Sequence, residues 1–369
     1  MASQERVSYS ELKRFSLQVL EKVNACNEQG KVFINALLWS DLVGRSTHGI
    51  WRLPAYIRRI EKGLMKCPCS PLLITENQAT GVMDGDQGIG HYVGHSAMSC
   101  AIEKARSYGI GAVGVRNSNH FGTGAYYAGL AARQNMVGIA VSNSLAKVAP
   151  YGGVKAVLGT NPFAFAIPGS NGQGMMFDMA TTVMAGSQVM KYAETGKALP
   201  DGIAIDHEGN SIRNPNDVNK GVLLPFGGAK GFGISLMVEI LSSVLTGANF
   251  STQVNSMFTD TTHPGQNGHF FLAIDIGRFI PVELFVQRAE SLFSTIKNSA
   301  VENDGVLIPG EIRWRHFKEN SEKGLLLDQA TLSALNTLAE NYLLPGIGHT
   351  PQQQPLAYCS EKNTAASPG

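Results

Sequence analysis

Apolar residues near the start of the chain recur at steps of three and four positions, the spacing that places them on one face of a helix. This pattern predicts helices over residues 9–25 and 31–43. A third helix is predicted to begin near residues 51–53, because Pro54 is tolerated in a first helical turn and not in a helix interior. Gly63 is a typical helix stop. The first part of the chain is therefore expected to be helical.

Further along, short apolar runs alternate with segments of helical periodicity. Strands are predicted at 81–85, 110–120, 136–144, 156–168, 174–180 and 268–276. Helices are predicted at 90–109, 123–135, 182–196, 234–247, 283–298 and 329–344. This alternation predicts an α/β architecture with an added helical portion. The end of the chain, 346–369, has the composition of a disordered tail.

The composition narrows the class of protein. The 369 residues are 43% hydrophobic, which is enough apolar material for a sizeable core and for more than one domain. The net charge of +1 provides no electrostatic basis for binding nucleic acid. Neither a membrane span nor a signal peptide is expected, because there is no long apolar run and the N-terminus is polar. The five cysteines are too few and odd in number for a disulfide framework, which predicts reduced thiols and a cytoplasmic location.

Several familiar signatures are incomplete. The stretch GDQGIGHYVG is one residue off the dinucleotide fingerprint GxGxxG, and GGAKGFG lacks the residue order of a phosphate-binding P-loop. His91 and His95 are four residues apart on a predicted helix but lack the glutamate of a zinc protease motif, so no metal site is expected. The sequence contains no GxSxG motif, which argues against a serine hydrolase.

Polar, glycine-rich turns are more informative, and each is expected to follow a strand. They span 116–124, 142–153, 159–162 and 178–182. Loops at the carboxyl ends of strands are where α/β proteins bind ligands. His120 lies in the first turn, close to two asparagines and a glycine. It is therefore a candidate catalytic residue, although a lone loop histidine is more often a surface residue.

The stretch GRSTHGIWRLPAYIRR places His48, Arg52 and Tyr56 at intervals of four residues. A histidine with its usual pKa of ~6.5 transfers protons near neutrality, and a guanidinium holds a carboxylate through two parallel hydrogen bonds. Reduction of a 2-oxo acid requires these two groups and a hydride donor. The alternative is that Arg52, Arg58 and Arg59 form a solvated basic face and that Tyr56 is a core residue.

Six motifs occur along the chain in the order STHGIWRLPAYI, RNSNHFGTGAYYA, GTNPFAFAIP, FDMATT, LLPFGGAKGFG and IPGE. Together they resemble the type 2 malate/L-lactate dehydrogenase family over nearly the whole chain. The resemblance implies an α/β, non-Rossmann fold that binds NAD or NADP, which agrees with the incomplete fingerprint. It also implies hydride transfer to or from small 2-oxo, 2-hydroxy or cyclic imino acids, in a homodimer.

The resemblance also implies roles for individual residues. His48 corresponds to the catalytic acid/base, and His120 to a catalytic residue at the substrate and nicotinamide site. The positions that correspond to substrate contacts are Thr47, Arg52, Tyr56 and Ser144. The positions that fall on cofactor-binding motifs are His120, Thr160, Asn161, Asp178, Met179, Ala180, Lys230, Gly310 and Glu311. The chain departs from the family at Thr47, where most relatives have serine, and at Gln188, where relatives carry lysine or aspartate.

The chain is expected to divide into two parts. Residues 1–115 are expected to form a helical and α/β portion that segment 280–345 completes, and 116–279 to form a cofactor-binding domain. The leading prediction is an NAD(P)-dependent dehydrogenase for a malate-, lactate-, ureidoglycolate- or diketogulonate-like acid. Two alternatives stay open, namely a reductase for Δ1-piperideine-2-carboxylate or Δ1-pyrroline-2-carboxylate, and a catalytically inactive nucleotide-binding protein.

Overall fold

A computed structural model of the protein describes residues 4–301 and 305–348. Its strands are β1 (Gln4–Val7), β2 (Leu72–Glu76), β3 (Thr80–Asp84), β4 (Ile110–Ser118), β5 (Met136–Ser142), β6 (Phe163–Ala166), β7 (Met176–Met179), β8 (Ala204–Ile205), β9 (Val222–Leu223), β10 (Asn267–Asp275) and β11 (Leu325–Asp328). Its α-helices are α1 (Tyr9–Lys22), α2 (Glu28–Leu42), α3 (Leu53–Glu61), α4 (Gly90–Tyr108), α5 (Gly124–Ala132), α6 (Gly186–Glu194), α7 (Ala229–Glu239), α8 (Val282–Lys297), α9 (Glu311–Lys323) and α10 (Gln329–Asn341).

A seven-stranded sheet with the order β2-β3-β4-β10-β5-β6-β7 forms the centre of the protein. β3 and β4 are parallel, and every other neighbouring pair in this sheet is antiparallel. As a result, β3, β4, β5 and β7 end at the edge where β6 and β10 begin. We call this edge the loop edge. The turn 159–162 was predicted to follow a strand, but it precedes β6. It still lies at the loop edge, because β6 runs antiparallel to β5 and therefore begins there.

The sheet confirms the predicted α/β class and differs from a Rossmann sheet in the place of β10. β4 and β5, which α5 connects, run in the same direction, but β10 lies between them and pairs with both. One face of β10 carries the buried His269, Phe271 and Ala273. The other face carries the half-buried Phe270 and Leu272. Little contact with solvent on either face is what a central strand requires.

Three apolar cores can be distinguished among the described residues. The sheet shares one with α4 and α5. α1, α2 and α3 share the second with β11 and α10, and β1 pairs with β11. The third is smaller and includes Val148 and Leu223. The N-terminal helices therefore pack directly on elements from the C-terminal part, while the predicted domain boundaries at 115 and 280 stay predictions.

Helix boundaries near proline and glycine agree with the sequence. α3 begins at Leu53 with Pro54 in its first turn, and a 3-10 turn, Ile50–Arg52, leads into it. α4 ends where Gly109 adopts a left-handed conformation with φ of 85°. Proline in a first turn and glycine after a last turn are the positions these residues favour in helices.

The structure also contains elements that the sequence pattern does not predict, and two predicted helices begin at other residues. α9 was not predicted, because its sequence EIRWRHFKENSEK lacks an apolar stripe and the side chains it buries are Arg313 and Asn320. α7 begins at Ala229, inside the glycine-rich stretch that was expected to precede it. α6 begins at Gly186, later than the predicted residue 182. β1, β2 and β11 were not predicted either, and β1 and β11 are four-residue strands.

Two further predictions concern the end of the chain and membrane insertion. The predicted tail, 346–369, lies outside the described residues from 349 onward. Among the described helices, none combines the length and the apolar character of a membrane span.

Candidate active site

Two short 3-10 turns precede α3 and carry the predicted residues. The first turn, Ser46–His48, ends on His48, and the second, Ile50–Arg52, ends on Arg52. Gly49 separates them in an extended conformation. His48 therefore lies before the helix and Arg52 at its start, as the position of Pro54 predicted.

His48 and His120 lie face to face although they are far apart in the sequence. Their ring centroids are 5.8 Å apart, and the ring planes differ by 10°. The Tyr56 hydroxyl lies 2.6 Å from His120 Nδ1, and the Thr47 hydroxyl lies 3.1 Å from His48 Nδ1. These contacts occupy the Nδ1 atom of each ring, which leaves Nε2 as the nitrogen available to a ligand.

The hydrogen bonds define the tautomer of His120. The backbone N–H of Gly122 donates to His120 Nδ1 at 3.3 Å, so Nδ1 is an acceptor. A neutral imidazole that accepts at Nδ1 carries its proton on Nε2. Burial raises the pKa of Tyr56, which keeps its hydroxyl protonated and able to donate to Nδ1. His120 therefore presents an N–H donor at Nε2.

Burial keeps the histidines of this region neutral. Burial, with a smaller contribution from nearby positive groups such as Arg52, lowers the pKa of His48 to about 3. Burial also lowers the pKa of His120 well below its usual value, and the pKa of His91 to about 3. Desolvation disfavours the charged form of an imidazole, and neighbouring positive groups add to this effect.

Arg52 is a half-buried cation in contact with uncharged groups. Its guanidinium lies over the rings of Trp51 and Phe258, at 5.0 and 5.1 Å from their centroids. Nε donates to the backbone oxygen of Thr47 at 2.5 Å, and one terminal nitrogen contacts the sulfur of Met257 at 3.4 Å. Within the described part of the chain, no carboxylate forms an ion pair with Arg52. Donors on its terminal nitrogens therefore remain available to an anion.

Thr47 connects the two turns. Its hydroxyl contacts His48 and its backbone oxygen accepts from Arg52. The hydroxyl that Thr47 shares with serine is therefore the group that this site uses, which explains why the departure from the family pattern is compatible with an intact site.

Ser144, Thr160 and Asn161 meet at the loop edge. The Ser144 hydroxyl accepts from the Thr160 backbone N–H at 2.9 Å. Asn161 is fully buried, and its amide donates to the backbone oxygen of Ser235 and to the Glu239 carboxylate, at 3.1 and 2.6 Å. Asn161 therefore braces the turn before β6 against α7.

The hydrogen bonds described for Asp178 are all with other groups of the protein. Its carboxylate accepts from the Thr123 hydroxyl at 2.5 Å and from the Ala125 backbone N–H at 3.1 Å, which caps the start of α5. Arg313 lies 3.8 Å from this carboxylate and donates to the Asp178 backbone oxygen at 3.3 Å. Met179 and Ala180, which follow in the chain, are half-buried.

The other predicted residues lie on different elements. Lys230 is exposed in the first turn of α7. Gly310 precedes α9 with φ of 107°, and a Cβ there would lie 2.8 Å from the Met176 backbone nitrogen. Glu311 pairs with Lys297. The contacts described for Lys230 and Glu311 do not include the histidines or Arg52.

Gln188 is the second position at which the chain departs from the family pattern. It is exposed in the first turn of α6, and its side-chain oxygen accepts from the Ala185 backbone N–H at 3.4 Å.

Within 4–301 and 305–348, no cluster of three or more histidine, cysteine or carboxylate side chains has the arrangement of a metal site.

Sequence reasoning missed several residues around this site. Arg313 belongs to the unpredicted helix α9, and Met257 and Phe258 belong to the segment between α7 and β10. Neither segment has the apolar periodicity or glycine pattern on which the other predictions relied. Their proximity to Asp178 and Arg52 arises from tertiary packing.

Comparison with known proteins agrees with the resemblance. Residues 7–336 match a family model described as malate/L-lactate dehydrogenase. A malate dehydrogenase of Pyrococcus abyssi is 38% identical, over 93% of this chain and 96% of its own length. An L-sulfolactate dehydrogenase of Methanothermobacter thermautotrophicus is 35% identical, over 90% of this chain and 96% of its own.

More distant relatives and solved structures extend the comparison. A Δ1-pyrroline-2-carboxylate/Δ1-piperideine-2-carboxylate reductase of Pseudomonas putida is 31% identical, over 90% of this chain and 96% of its own length. The crystal structure of malate dehydrogenase from Entamoeba histolytica superimposes with a TM-score of 0.88 and 33% identity, over 93% of this chain and 99% of that chain. This chain therefore belongs to the malate/L-lactate dehydrogenase family.

Proposed function

We propose that the protein transfers a hydride between NAD or NADP and C2 of a small 2-oxo or 2-hydroxy acid. As a member of this family it is an NAD(P)-dependent oxidoreductase. The main observation in support of an acid as substrate is the environment of Arg52. This cation lies over two aromatic rings and has no carboxylate partner among the described residues. The stacked pair of His48 and His120 belongs to the same site.

Arg52 is suited to hold the substrate carboxylate. An enclosed charge is unfavourable unless an opposite charge or several hydrogen bonds compensate for it. A carboxylate supplies both at once, because its two oxygens match two parallel N–H donors of a guanidinium. The rings of Trp51 and Phe258 restrict the guanidinium plane, so a bound carboxylate would have a defined orientation.

His48 and His120 are suited to the proton transfer. In the oxidation of a hydroxy acid, neutral His48 would accept the hydroxyl proton at Nε2, and bound NAD or NADP in its oxidised form would accept the hydride from C2. The N–H at Nε2 of His120 donates a hydrogen bond to the same substrate oxygen. In reduction, a substrate anion beside Arg52 offsets the positive neighbours that lower the pKa of His48, which favours its protonated form.

The loop edge and α7 fit a dinucleotide. α7 has no side-chain cap at its N-terminus, Gly227 and Gly228 have positive φ there, and Lys230 has no ion-pair partner among the described residues. Such a helix start with an adjacent lysine favours phosphate groups. Bound NAD(P)H supplies the hydride, and Ser144 and Thr160 lie on loops that can contact it.

The protein is proposed to act as a homodimer. α8 contains no buried side chain along its 16 residues. Several apolar residues on α7, on the π-helical turn Ile240–Val244 that continues it and directly after that turn are also exposed, namely Leu236, Met237, Ile240, Val244 and Leu245. A second copy of the chain would cover apolar surface of this extent. The free thiols of Cys26, Cys67, Cys69 and Cys100 agree with the cytoplasmic location proposed here.

A second candidate function is reduction of a cyclic imino acid. The low pKa of His48 favours it, since a cyclic imine that is already protonated needs no proton from the protein. Arg52 would hold the carboxylate in the same way. The 31% identical relative from Pseudomonas putida carries the name of such a reductase.

A substrate panel separates these functions. Purified protein is assayed with NADH and NADPH against pyruvate, oxaloacetate, 2,3-diketogulonate and Δ1-piperideine-2-carboxylate, and in the oxidative direction with ureidoglycolate. Turnover of an oxo or hydroxy acid is expected. Turnover of the imine alone would establish the second function. Cofactor binding without turnover of any compound would identify a catalytically inactive nucleotide-binding protein.

A further inference from the structure

We propose that Asp41 is a positioning residue, whose buried carboxylate holds the two 3-10 turns that carry His48 and Arg52. The inference rests on the proposed function, because those two residues are assigned there to proton transfer and carboxylate binding. Asp41 lies near the end of α2 and contacts neither the histidine pair nor the guanidinium in the described structure. Its effect on them is transmitted through Gly49 and Ile50.

The carboxylate of Asp41 is bonded to the junction of the two turns. It accepts a hydrogen bond from the Ile50 backbone N–H at 2.7 Å. Ile50 is the first residue of the second turn, which has no cap from its own N-cap residue. Asp41 therefore supplies from another helix the acceptor that a Ser, Asp or Asn side chain usually provides at a helix start.

Gly49 permits this close approach. A Cβ built on Gly49 would lie 2.0 Å from Asp41 Oδ1 and 2.3 Å from its Cγ. The three nearest atoms to that Cβ all belong to Asp41. Gly49 has a negative φ of −93°, so its backbone conformation is open to other residues. Glycine is therefore required here by the carboxylate and not by the backbone.

Asp41 is itself held in place. Asn320 of α9 donates to the backbone oxygens of Asp41 and Leu42, both at 3.1 Å. Burial raises the pKa of Asp41 to about 7, while the hydrogen bond from Ile50 acts in the opposite direction. A neutral side chain that keeps the acceptor should therefore serve in place of the carboxylate.

The first test compares Asp41→Asn with Asp41→Ala. Asparagine keeps an oxygen acceptor for the Ile50 N–H, and alanine removes it. We expect Asp41→Ala to lower kcat/KM at least tenfold, with a rise in KM for the acid, while the Kd for NADH changes less than twofold. Asp41→Asn is expected to stay within about threefold of the wild type. Equal losses in both variants, or none in Asp41→Ala, would overturn the inference.

The second test is a double-mutant cycle with Gly49→Ala. In the presence of Asp41 the added methyl group displaces the carboxylate, and at least a tenfold loss of kcat/KM is expected. In Asp41→Ala/Gly49→Ala the obstructing atoms are gone, so the double variant should be no less active than Asp41→Ala alone. Additive losses would show that Gly49 acts independently of Asp41, contrary to the inference.

A measurement without turnover separates this inference from the proposed function. Fluorine NMR of protein labelled with fluorotryptophan reports the surroundings of Trp51, which lies in the second turn. Trp51→Phe assigns its resonance. The resonance is expected to shift in Asp41→Ala and Gly49→Ala and to stay in place in Asp41→Asn. This pattern would support the positioning role even if no acid in the panel is turned over, and an unshifted resonance in Asp41→Ala would refute it.

Discussion

Arg52 shows at the residue scale how an enclosed charge points to a ligand. Two aromatic rings, a backbone oxygen and a thioether surround its guanidinium, and none of them neutralises it. Arg58 and Arg59 of the same helix differ from it. Arg58 is exposed, and the Arg59 guanidinium donates to the backbone oxygens of Asp260 and His263. The solvated basic face considered as an alternative therefore does not describe this helix.

Arg52→Ala should lose at least about 100-fold in kcat/KM, because two charge-assisted hydrogen bonds to the substrate carboxylate are worth roughly 1.5–3 kcal/mol each. The loss should appear mainly in KM and should not extend to NADH binding. Arg58→Ala is the matched control, since it removes an exposed arginine from the same helix. Steady-state kinetics measure both, and equal effects in the two variants would contradict the carboxylate role of Arg52.

His48→Asn should reduce kcat about 10²- to 10⁴-fold, the usual contribution of general acid–base catalysis. Asparagine keeps a polar side chain of similar size but does not transfer protons. The comparison is with His207→Asn, which changes a histidine whose side chain is 84% exposed. If His48→Asn kept wild-type turnover of an oxo acid, the proton would have to come from another group.

At the scale of elements, the start of α7 depends on close backbone packing. Gly231 lies in its first turn, and a Cβ there would be 2.0 Å from the backbone oxygen of Phe226. Gly233, two residues further along, has no atom within 4 Å of the corresponding position. The two glycines therefore differ in what an added methyl group would meet.

Gly231→Ala should displace the helix start, destabilise the fold by about 1–3 kcal/mol as overpacking does, and weaken cofactor binding at least tenfold. Gly233→Ala should leave cofactor binding unchanged and stabilise α7 by roughly 0.5–1 kcal/mol. Fluorescence titration with NADH and thermal unfolding report these quantities. Unchanged NADH affinity in Gly231→Ala would indicate that the α7 start does not hold the cofactor.

At the scale of the whole molecule, buried neutral histidines link stability to pH. Burial lowers the pKa of both His91 and His269 to about 3. His269 contacts the hydroxyls of Ser118 and Ser142, whereas neither ring nitrogen of His91 has a partner in the described structure. In the unfolded chain both titrate near pH ~6.5, so the stability that depends on their neutral form is complete above that pH and is lost as the pH falls.

The free energy of unfolding should fall by about 1.4 kcal/mol per histidine for each pH unit below about 6.5, which is on the order of 3 kcal/mol for these two at pH 5.5. His91→Phe should reduce the slope by the contribution of one histidine, because it removes a group that titrates. Phenylalanine suits the site because the neighbouring rings of Phe33 and Tyr56 are aromatic. His207→Phe, which changes an exposed histidine, is the matched control. Urea unfolding between pH 5 and 8 tests this, and parallel curves for the wild type and His91→Phe would contradict it.

The proposed dimer gives a further prediction at this scale. Leu245→Glu places a charge in the exposed apolar surface formed by α7 and the turn after it. Burying this charge in a dimer interface would be unfavourable. The variant is expected to sediment as a monomer when the wild type sediments as a dimer. Leu343→Glu changes another exposed leucine outside that surface and should stay dimeric. A monomeric wild type would refute the proposed assembly.

Much of the fold could be predicted because it depends on local patterns. α1 to α4 have apolar stripes or helix-stop glycines, and Pro54 located the start of α3. α9 has neither signal, because it is held by polar contacts such as those of Asn320 with α2. A helix stabilised by hydrogen bonds to distant elements leaves no periodic trace in its own sequence.

The sequence by itself determined the class of fold, the family and the residues from which a site could be built. Its local spacing and motif order are sufficient for this, because they depend on neighbours in the chain. Only the tertiary structure decided that Tyr56 meets His120, that Phe258 covers Arg52 and that Asp41 holds the turn at Gly49. These contacts depend on the direction and order of the strands and on helix packing, which bring together residues that no local pattern relates.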